Sequence, residues 1–305
     1  KKTGTMKKLI IAGANGFLGR HLTRYFHSSG WEVVGLARRK QGLDENCRLV
    51  LWDGKTVGDW ASELNGATAL INLAGRSINC RHNKKNKHQI VESRVVSTTV
   101  LGQALALCPN PPEVWLNAST ASVYADAETS PQGEGMKLGE GFFVDVARAW
   151  EGAMMNAKVS EDVRRIALRT SLVMANEEGT VYDYLLKLSK LFLGGPVGGG
   201  KQMVSWVHVE DYCRTVEWLI EHNDIRGVIN VTAPDPLTNA DMMKRFQKLA
   251  KRLFGLPATG WMARIGAFVL QTEPQLILKS NWVVPRRLLQ NGFVFRHPEM
   301  NPSEW

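Results

Sequence analysis

Three glycines spaced three apart, Gly13, Gly16 and Gly19, follow directly on the apolar run Leu9-Ile-Ile-Ala12, and this junction limits what the chain can fold into more than any other stretch. A short apolar run that breaks into turn residues reads as a buried parallel strand. Beyond the turn, Phe17 to Ser28 carries Leu18, Leu22, Tyr25 and Phe26 on one side at helical spacing. Gly13 permits the sharp turn, Gly16 lets the backbone come close to a ligand, and Gly19 lets the helix pack tightly on the strand. The free N–H groups at the helix start, those of Phe17, Leu18 and Gly19, then face an anion such as a pyrophosphate, with Asn15 in the turn beside it.

The second apolar segment, Trp31 to Ala37, ends at Arg38-Arg39, nineteen and twenty residues beyond Gly19. A site for NAD places Asp or Glu there to hold the ribose hydroxyls. Two guanidinium groups point instead to a 2′-phosphate, because they offer forked charged donors where a carboxylate would repel. The expected cofactor is therefore NADP. The competing account makes Arg38 and Arg39 solvated loop charges.

Leu49 to Trp52 reads as a third strand, Val57 to Leu64 as a partly exposed helix, and Ala69 to Gly75 as a fourth strand ending in small residues. Ligands of a parallel sheet lie beyond the carboxyl ends of its strands, which puts Asp53, Leu73, Ala74 and Gly75 on the cofactor side. Asp53 can accept from an adenine amine or cap its own turn. From Lys87 to Leu107 the residues Ile90, Val91, Arg94, Val95, Thr98, Leu101 and Leu105 recur at helical spacing, until Pro109 ends the pattern. The strand Glu113 to Ala118 leads into Ser119-Thr-Ala-Ser-Val-Tyr124, a hydroxyl cluster where chemistry is expected.

A surface loop over 125–141, a helix from Phe143 to Ala157 and a strand from Arg164 to Val173 extend the alternation of strand and helix, which argues a doubly wound α/β sheet. Beyond about residue 176 the pattern becomes irregular. Strands are expected over 204–209 and 228–232, and helices over 184–192, 210–222, 239–254, 261–278 and 286–292. Residues 6–175 read as a dinucleotide-binding domain and 176–305 mainly as a smaller, mostly helical C-terminal substrate lobe, with 204–232 returning to the first domain. The glycine-rich run Leu193 to Gly200 lacks the Lys-Ser or Lys-Thr pair of a second phosphate loop. Asn239 can cap the helix that follows it, with Thr238 competing.

The chain of 305 residues is long enough to bury a sizeable core, and Met6 is a candidate natural start. No uninterrupted apolar stretch reaches membrane-spanning length. Cys47, Cys80, Cys108 and Cys213 are scattered and form no Cys-x-x-Cys unit, which suits unpaired thiols in a reducing, cytoplasmic compartment. The seven histidines show no metal-ligand spacing. Part of the net charge of +9 lies in Arg81-His-Asn-Lys-Lys-Asn-Lys87 and part on one side of the 239–254 helix, whose other side carries Met243, Phe246, Leu249 and Leu253. A solvated amphipathic helix explains the latter, and no nucleic-acid motif accompanies either cluster. The expected partner is a small-molecule substrate, with neither nucleic acid nor membrane; a homodimer is open to it.

Taken together these blocks resemble an extended short-chain dehydrogenase/reductase of the NAD-dependent epimerase/dehydratase superfamily, over Lys7 to Pro298. The glycine turn matches that superfamily's spacing. Asn72-Leu-Ala-Gly75, Ser93-Arg-Val95, Trp150-Glu151, Leu193-Gly-Gly-Pro196, Ser205-Trp-Val-His-Val-Glu-Asp211, Asn230-Val-Thr-Ala-Pro234 and Val284-Pro-Arg-Arg-Leu288 are similar to its atypical, uncharacterised epimerase-like subfamily, members of which have been labelled cell-division inhibitors. The resemblance implies a Rossmann-type nucleotide domain and hydride transfer.

It also implies a proton relay of Ser or Thr, Tyr, and a Lys four residues after the Tyr. Matching on Glu151 puts the Tyr at Phe143 and the Lys at Ala147, so both functional groups are missing. Matching on Tyr124 puts the hydroxyl residue at Thr120, with Ser119 beside it. Tyr124, Asp145 and Glu140 are candidates for the missing proton group, each with a surface or hinge role as the competing account. His208 and Asp211 fall near the substrate cleft of such proteins, or cap a helix. Trp206, Trp261, Phe268 and Trp282 either line a pocket or pack in the core. Three functions stay open: an NADP(H)-dependent oxidoreductase of unknown substrate, a catalytically silent cofactor-bound sensor or interaction protein, and a nucleotide-sugar epimerase or dehydratase.

Overall fold

Strand β1 (Lys8–Ala12) sends Leu9 and Ile11 to one face and Ile10 and Ala12 to the other, and all four are fully buried. Alternation with burial on both sides requires helices on both faces of the sheet. In the computed structural model, which describes residues 6–257 and 279–305 apart from Asn79, Arg81 and Glu128, that is the architecture. β1 is flanked on one side by β2 (Glu32–Ala37) and β3 (Arg48–Leu51). On its other side stand β4 (Ala69–Asn72), β5 (Val114–Thr120), β6 (Arg164–Thr170) and, at the edge, β10 (Gly227–Val231). All neighbours in this seven-stranded sheet are parallel. Strand order reverses at β1, which opens a crevice at the carboxyl ends of β1 and β4.

Helices α1 (Phe17–Ser28) and α5 (Val209–Glu221) cover the face that carries Leu9 and Ile11. Helices α2 (Lys84–Leu107) and α3 (Phe142–Met155) cover the other. The segment expected as a helix from Val57 is instead a short 3-10 turn over Asp59–Leu64, which suffices to bury Trp60 and Leu64. The loop over 125–141 is not simply a surface loop. Its Gln132 exchanges backbone hydrogen bonds with Trp282 and Val284, at 2.7 and 3.0 Å, and Ala127 and Gln132 are buried.

Two strands read as continuous are broken. β6 ends at Thr170, and β7 (Leu172–Met174) leaves the main sheet to pair with β9 (Trp206–His208). The 204–209 strand divides at Ser205, whose buried hydroxyl bonds to the 281–283 segment; β8 (Met203–Val204) pairs instead with β11 (Leu237–Thr238). Helix α4 (Val181–Lys190) packs against α6 (Asn239–Leu249). Thr238 caps α6 by accepting from Asp241 N–H, while Asn239 accepts from Val197 N–H. Leu253 lies past the end of α6 and is fully exposed rather than inward. The helix expected over 261–278, with Trp261 and Phe268, lies outside the described residues.

The end of the chain is pinned to α5. After α7 (Arg286–Gln290), Phe293 and Phe295 return to the core, and fully buried Asp211 accepts from the N–H groups of Arg296 and His297 at 2.9 and 2.8 Å. The other end of α5 is closed by Arg164, whose buried guanidinium donates to the carbonyls of Leu219, Ile220, His222 and Ile225. The Leu219 and Ile220 carbonyls belong to the last turn of α5, where carbonyls lack partners within the helix, and a cation suits the negative end of its dipole.

Two outcomes follow from this packing. Arg164→Leu leaves that group of carbonyls without its donor and should cost about 2 kcal/mol or more, seen as a melting temperature lower by several degrees. His208, at the start of α5, is pushed down from 6.5 to about 4 by burial and by the adjacent His297. Between those values the unfolded chain binds a proton that the folded chain does not, so stability should fall as pH drops from about 6.5 to about 4, and His208→Gln should flatten the loss in urea titrations at pH 7 and pH 5.

Candidate functional site

The glycine turn has the geometry a pyrophosphate needs. Gly13 adopts φ +82°, and a Cβ there would meet the backbone of Leu73 and Ala74 at 3.0 Å; a Cβ on Gly19 would meet Ala14 O at 2.6 Å. Gly16 precedes α1 without any side-chain cap, and the first turn of α1 holds no acidic residue. Phe17, Leu18 and Gly19 line the cleft, and the N–H groups of such a first turn have no partner within the helix and suit an anion. Asn15 ties this turn to the loop after β2, donating to Gln41 O at 3.4 Å while its own carbonyl accepts from Arg20. In that loop Arg38 and Arg39 are exposed and make no hydrogen bond or ion pair among the described residues. Asp53 takes the turn-capping role: its carboxylate accepts from the N–H groups of Lys55 and Thr56 and from the Thr56 hydroxyl, and it does not line the cleft.

A cleft of about 380 Å³ runs from this turn across the ends of β4, β5 and β6, within the size range of small-molecule sites. Its walls include Gly13, Gly16, Phe17, Leu18, Gly19 and Leu73 on the turn side, and Ser119, Thr120, Phe143 and Trp150 opposite. It also contains Arg94, which reading the sequence left without a role. Arg94 lies over the Trp150 ring at 4.9 Å and donates to the carbonyls of Arg76 and Ile90, with no carboxylate partner among the described residues. Burial pushes it down to about 10. Gly75 makes the room, since a Cβ there would stand 3.1 Å from the guanidinium carbon. The signal was present in the sequence: an arginine on the inward row of α2, between Ile90 and Leu101.

Behind the cleft, buried polar groups fix the strand ends. Asn72 donates to Thr98 at 3.0 Å and to Asn117 at 2.7 Å and accepts from Ala74 N–H, while Trp150 donates to Thr98. Strand register then sets Ser119, Arg169 and Asn230 in one row across β5, β6 and β10. Arg169 forms a two-pronged ion pair with Glu151 of α3, both contacts at 2.8 Å, and Ser119 Oγ donates to the same carboxylate at 2.6 Å. Arg169 also donates to the Tyr124 hydroxyl, which donates to Asn230 at 2.7 Å. Burial works against charge on Arg169, but pairing with Glu151 outweighs it and holds the guanidinium above its ordinary value.

The hydroxyl residues thus differ in role. Thr120 lines the cleft, accepts from Ser122 N–H at 3.1 Å and retains its proton. Tyr124 is fully buried, is absent from the cleft wall, and is pushed up by burial, which makes it a structural member of the row rather than a group facing substrate. Phe143 does line the cleft, edge-on to His82 with ring centroids 5.2 Å apart. Ala147 is fully buried among Ala121, Val123, Tyr124, Val144 and Val283. Glu140 and Asp145 are exposed and outside the cleft wall. Trp206 is a core residue, and Trp282 does not line the cleft.

His208, Glu210 and His297 are the described residues spaced closely enough to hold a metal. Glu210 is already engaged by Arg296 and His297, and its position in the first turn of α5 favours anions over cations, so the group reads as an anchor for the chain end.

The sequence profile of the NAD dependent epimerase/dehydratase family matches residues 9–232, and that of a domain of unknown function, DUF1731, matches 258–302. The chain is 29% identical over 303 residues to the human epimerase family protein SDR39U1, covering 97% of this chain and 98% of that protein. It is 27% identical over 292 residues to the chloroplastic SDR39U1 homolog of Arabidopsis thaliana, covering 94% and 82%. A crystal structure of human SDR39U1 (isoform 2) with NADPH superposes with a TM-score of 0.86 at 26% identity, over 97% of this chain and 98% of that one. No helix among the described residues is long and apolar enough to cross a membrane. With its glycine turn, parallel sheet and cleft all falling inside the matched span, this chain belongs to the NAD dependent epimerase/dehydratase family.

Proposed function

We propose that the chain binds NADP(H) across the carboxyl ends of β1, β2 and β4 and acts as an oxidoreductase on a small carbonyl or hydroxyl compound. The observation that carries this is the start of α1, without a side-chain cap, together with Arg38 and Arg39, two guanidinium groups at the end of β2 that have no partner among the described residues. NADPH in the structure of the human relative supports the choice of cofactor. Leu73, Ala74 and Gly75 flank the same crevice, and Arg94 is placed to meet the charged middle of the dinucleotide. Residues 6–175 with 204–232 make up the cofactor domain in this reading. The free cysteines fit a reducing compartment, and the chloroplastic plant relative leaves both cytosol and organelle open.

When bound, the nicotinamide supplies or accepts a hydride. Thr120 has a proton to donate to a carbonyl oxygen, and Phe17, Leu18, Phe143 and Trp150 give the cleft an apolar wall. Phe143 cannot move a proton, so the proton comes from the Thr120 side or from water. A second reading, a cofactor-bound protein without turnover, is favoured by one observation: the position matched to the relay lysine, Ala147, is sealed in the core. A nucleotide-sugar epimerase is less well supported, since that reaction also starts by oxidising a hydroxyl and the positions matched to the relay Tyr and Lys are Phe143 and Ala147.

Replacing Arg38 and Arg39 together by Ala should weaken NADPH binding about 10- to 100-fold and leave NADH nearly unchanged, measured by fluorescence titration. Equal affinities in the unaltered protein would remove the 2′-phosphate argument. Arg94→Met should weaken both cofactors by a similar factor, about tenfold, because the charge it meets is common to them.

A further inference from the structure

Ser119 differs from its neighbour Thr120 in the direction its proton can face. The Ser119 Oγ lies 2.6 Å from Glu151 Oε1, and that carboxylate is the anionic half of an ion pair whose two oxygens already receive Arg169 Nε and NH2, each at 2.8 Å. An ionised carboxylate only accepts, so the hydrogen in the short contact comes from Ser119. A hydroxyl has one proton and two lone pairs; with the proton committed, Ser119, a residue of the cleft wall, has lone pairs alone left to offer a ligand. Turning that proton away would give up a charge-assisted hydrogen bond to a buried carboxylate, a cost beyond that of an ordinary hydrogen bond. Thr120 has the opposite state: its oxygen accepts from Ser122 N–H, and its proton has no acceptor among the described residues.

We infer that the cleft selects substrates carrying a hydrogen-bond donor, a hydroxyl or an N–H, beside the oxygen that Thr120 holds, with Ser119 as the acceptor that reads it. Hydroxycarbonyl compounds and their reduced diols are the matching class. Glu151 and Arg169 act as positioning residues for the Ser119 proton. The rest of the wall is largely apolar, with Phe17, Ile78, Phe143, Val146 and Trp150, so an aryl or alkyl group suits the remainder of the substrate. This inference rests on the proposed oxidoreductase reading for the role of Thr120, but the polarity of Ser119 does not depend on the cofactor.

The test compares 2-hydroxyacetophenone with propiophenone, which differ by a hydroxyl against a methyl of similar size, by titration calorimetry on the NADPH-loaded protein and on the protein alone. The hydroxy ketone is expected to bind about tenfold tighter despite being the less hydrophobic of the two. Ser119→Ala, its fold checked by thermal melting, should reverse the order, because the buried hydroxyl of the ligand then finds no acceptor. Equal binding, tighter binding of propiophenone to the unaltered protein, or binding of neither ketone overturns the inference. So does a preference that survives in Ser119→Ala. Failure of NADPH to bind removes the cofactor reading instead, while the two ketones on the free protein still decide the question for Ser119.

Discussion

The ion pair between Glu151 and Arg169 is the contact on which the arrangement of the strand ends depends. Two opposite charges in so enclosed a place are tolerated only as a well-made pair, and removing one partner of such a pair costs about 3–5 kcal/mol. Because Arg169 lies on a strand and Glu151 on a helix, that penalty fixes α3 over the carboxyl ends of β5, β6 and β10. The Ser119 proton, the Tyr124 ring beneath the guanidinium at 5.1 Å and the Asn230 amide all take their orientation from it. The wall of the cleft is thus set by charge pairing behind it rather than by packing within it.

A neutral network does the same work one strand further in. Asn72, Thr98, Asn117 and Trp150 satisfy one another across β4, β5, α2 and α3, and Asn72 also receives the Ala74 N–H. That holds the Leu73–Ala74 backbone against Gly13, where any side chain on the glycine would collide. The glycine turn and the polar network are therefore one device: the first supplies the close approach and the second keeps the surface it approaches in place.

Much of this was legible in the chain. Apolar alternation placed β1 and the helix after it, and the row Ile90, Arg94, Thr98 and Leu101 placed α2, because local periodicity and burial agree there. The breaks at Ser171 and Ser205 were not legible, since a strand that leaves one sheet for another keeps its apolar pattern and only its partners change. The same holds for Tyr124. A tyrosine in a hydroxyl cluster looks available for chemistry until Arg169 and Asn230, which are 45 and 106 residues away in sequence, consume its hydroxyl. Residues whose place on the cleft wall depends on backbone shape, such as Gly13 and Gly16, could be named from spacing; those whose contacts depend on a distant partner could not.

The burial of Ala147 leaves little room for any longer side chain at that place. A lysine at that place would have to thread a four-carbon stem and an ammonium through a wall shared by Val123, Tyr124 and Val283, with no acid among those neighbours to receive it. An unpaired cation so enclosed either sheds its proton or forces the wall apart. A tyrosine restored at Phe143 alone would lack the lysine that the usual relay sets four residues beyond it. A longer side chain at Ala147 therefore has to open the packing between α3 and the 283 segment before it can reach the cleft.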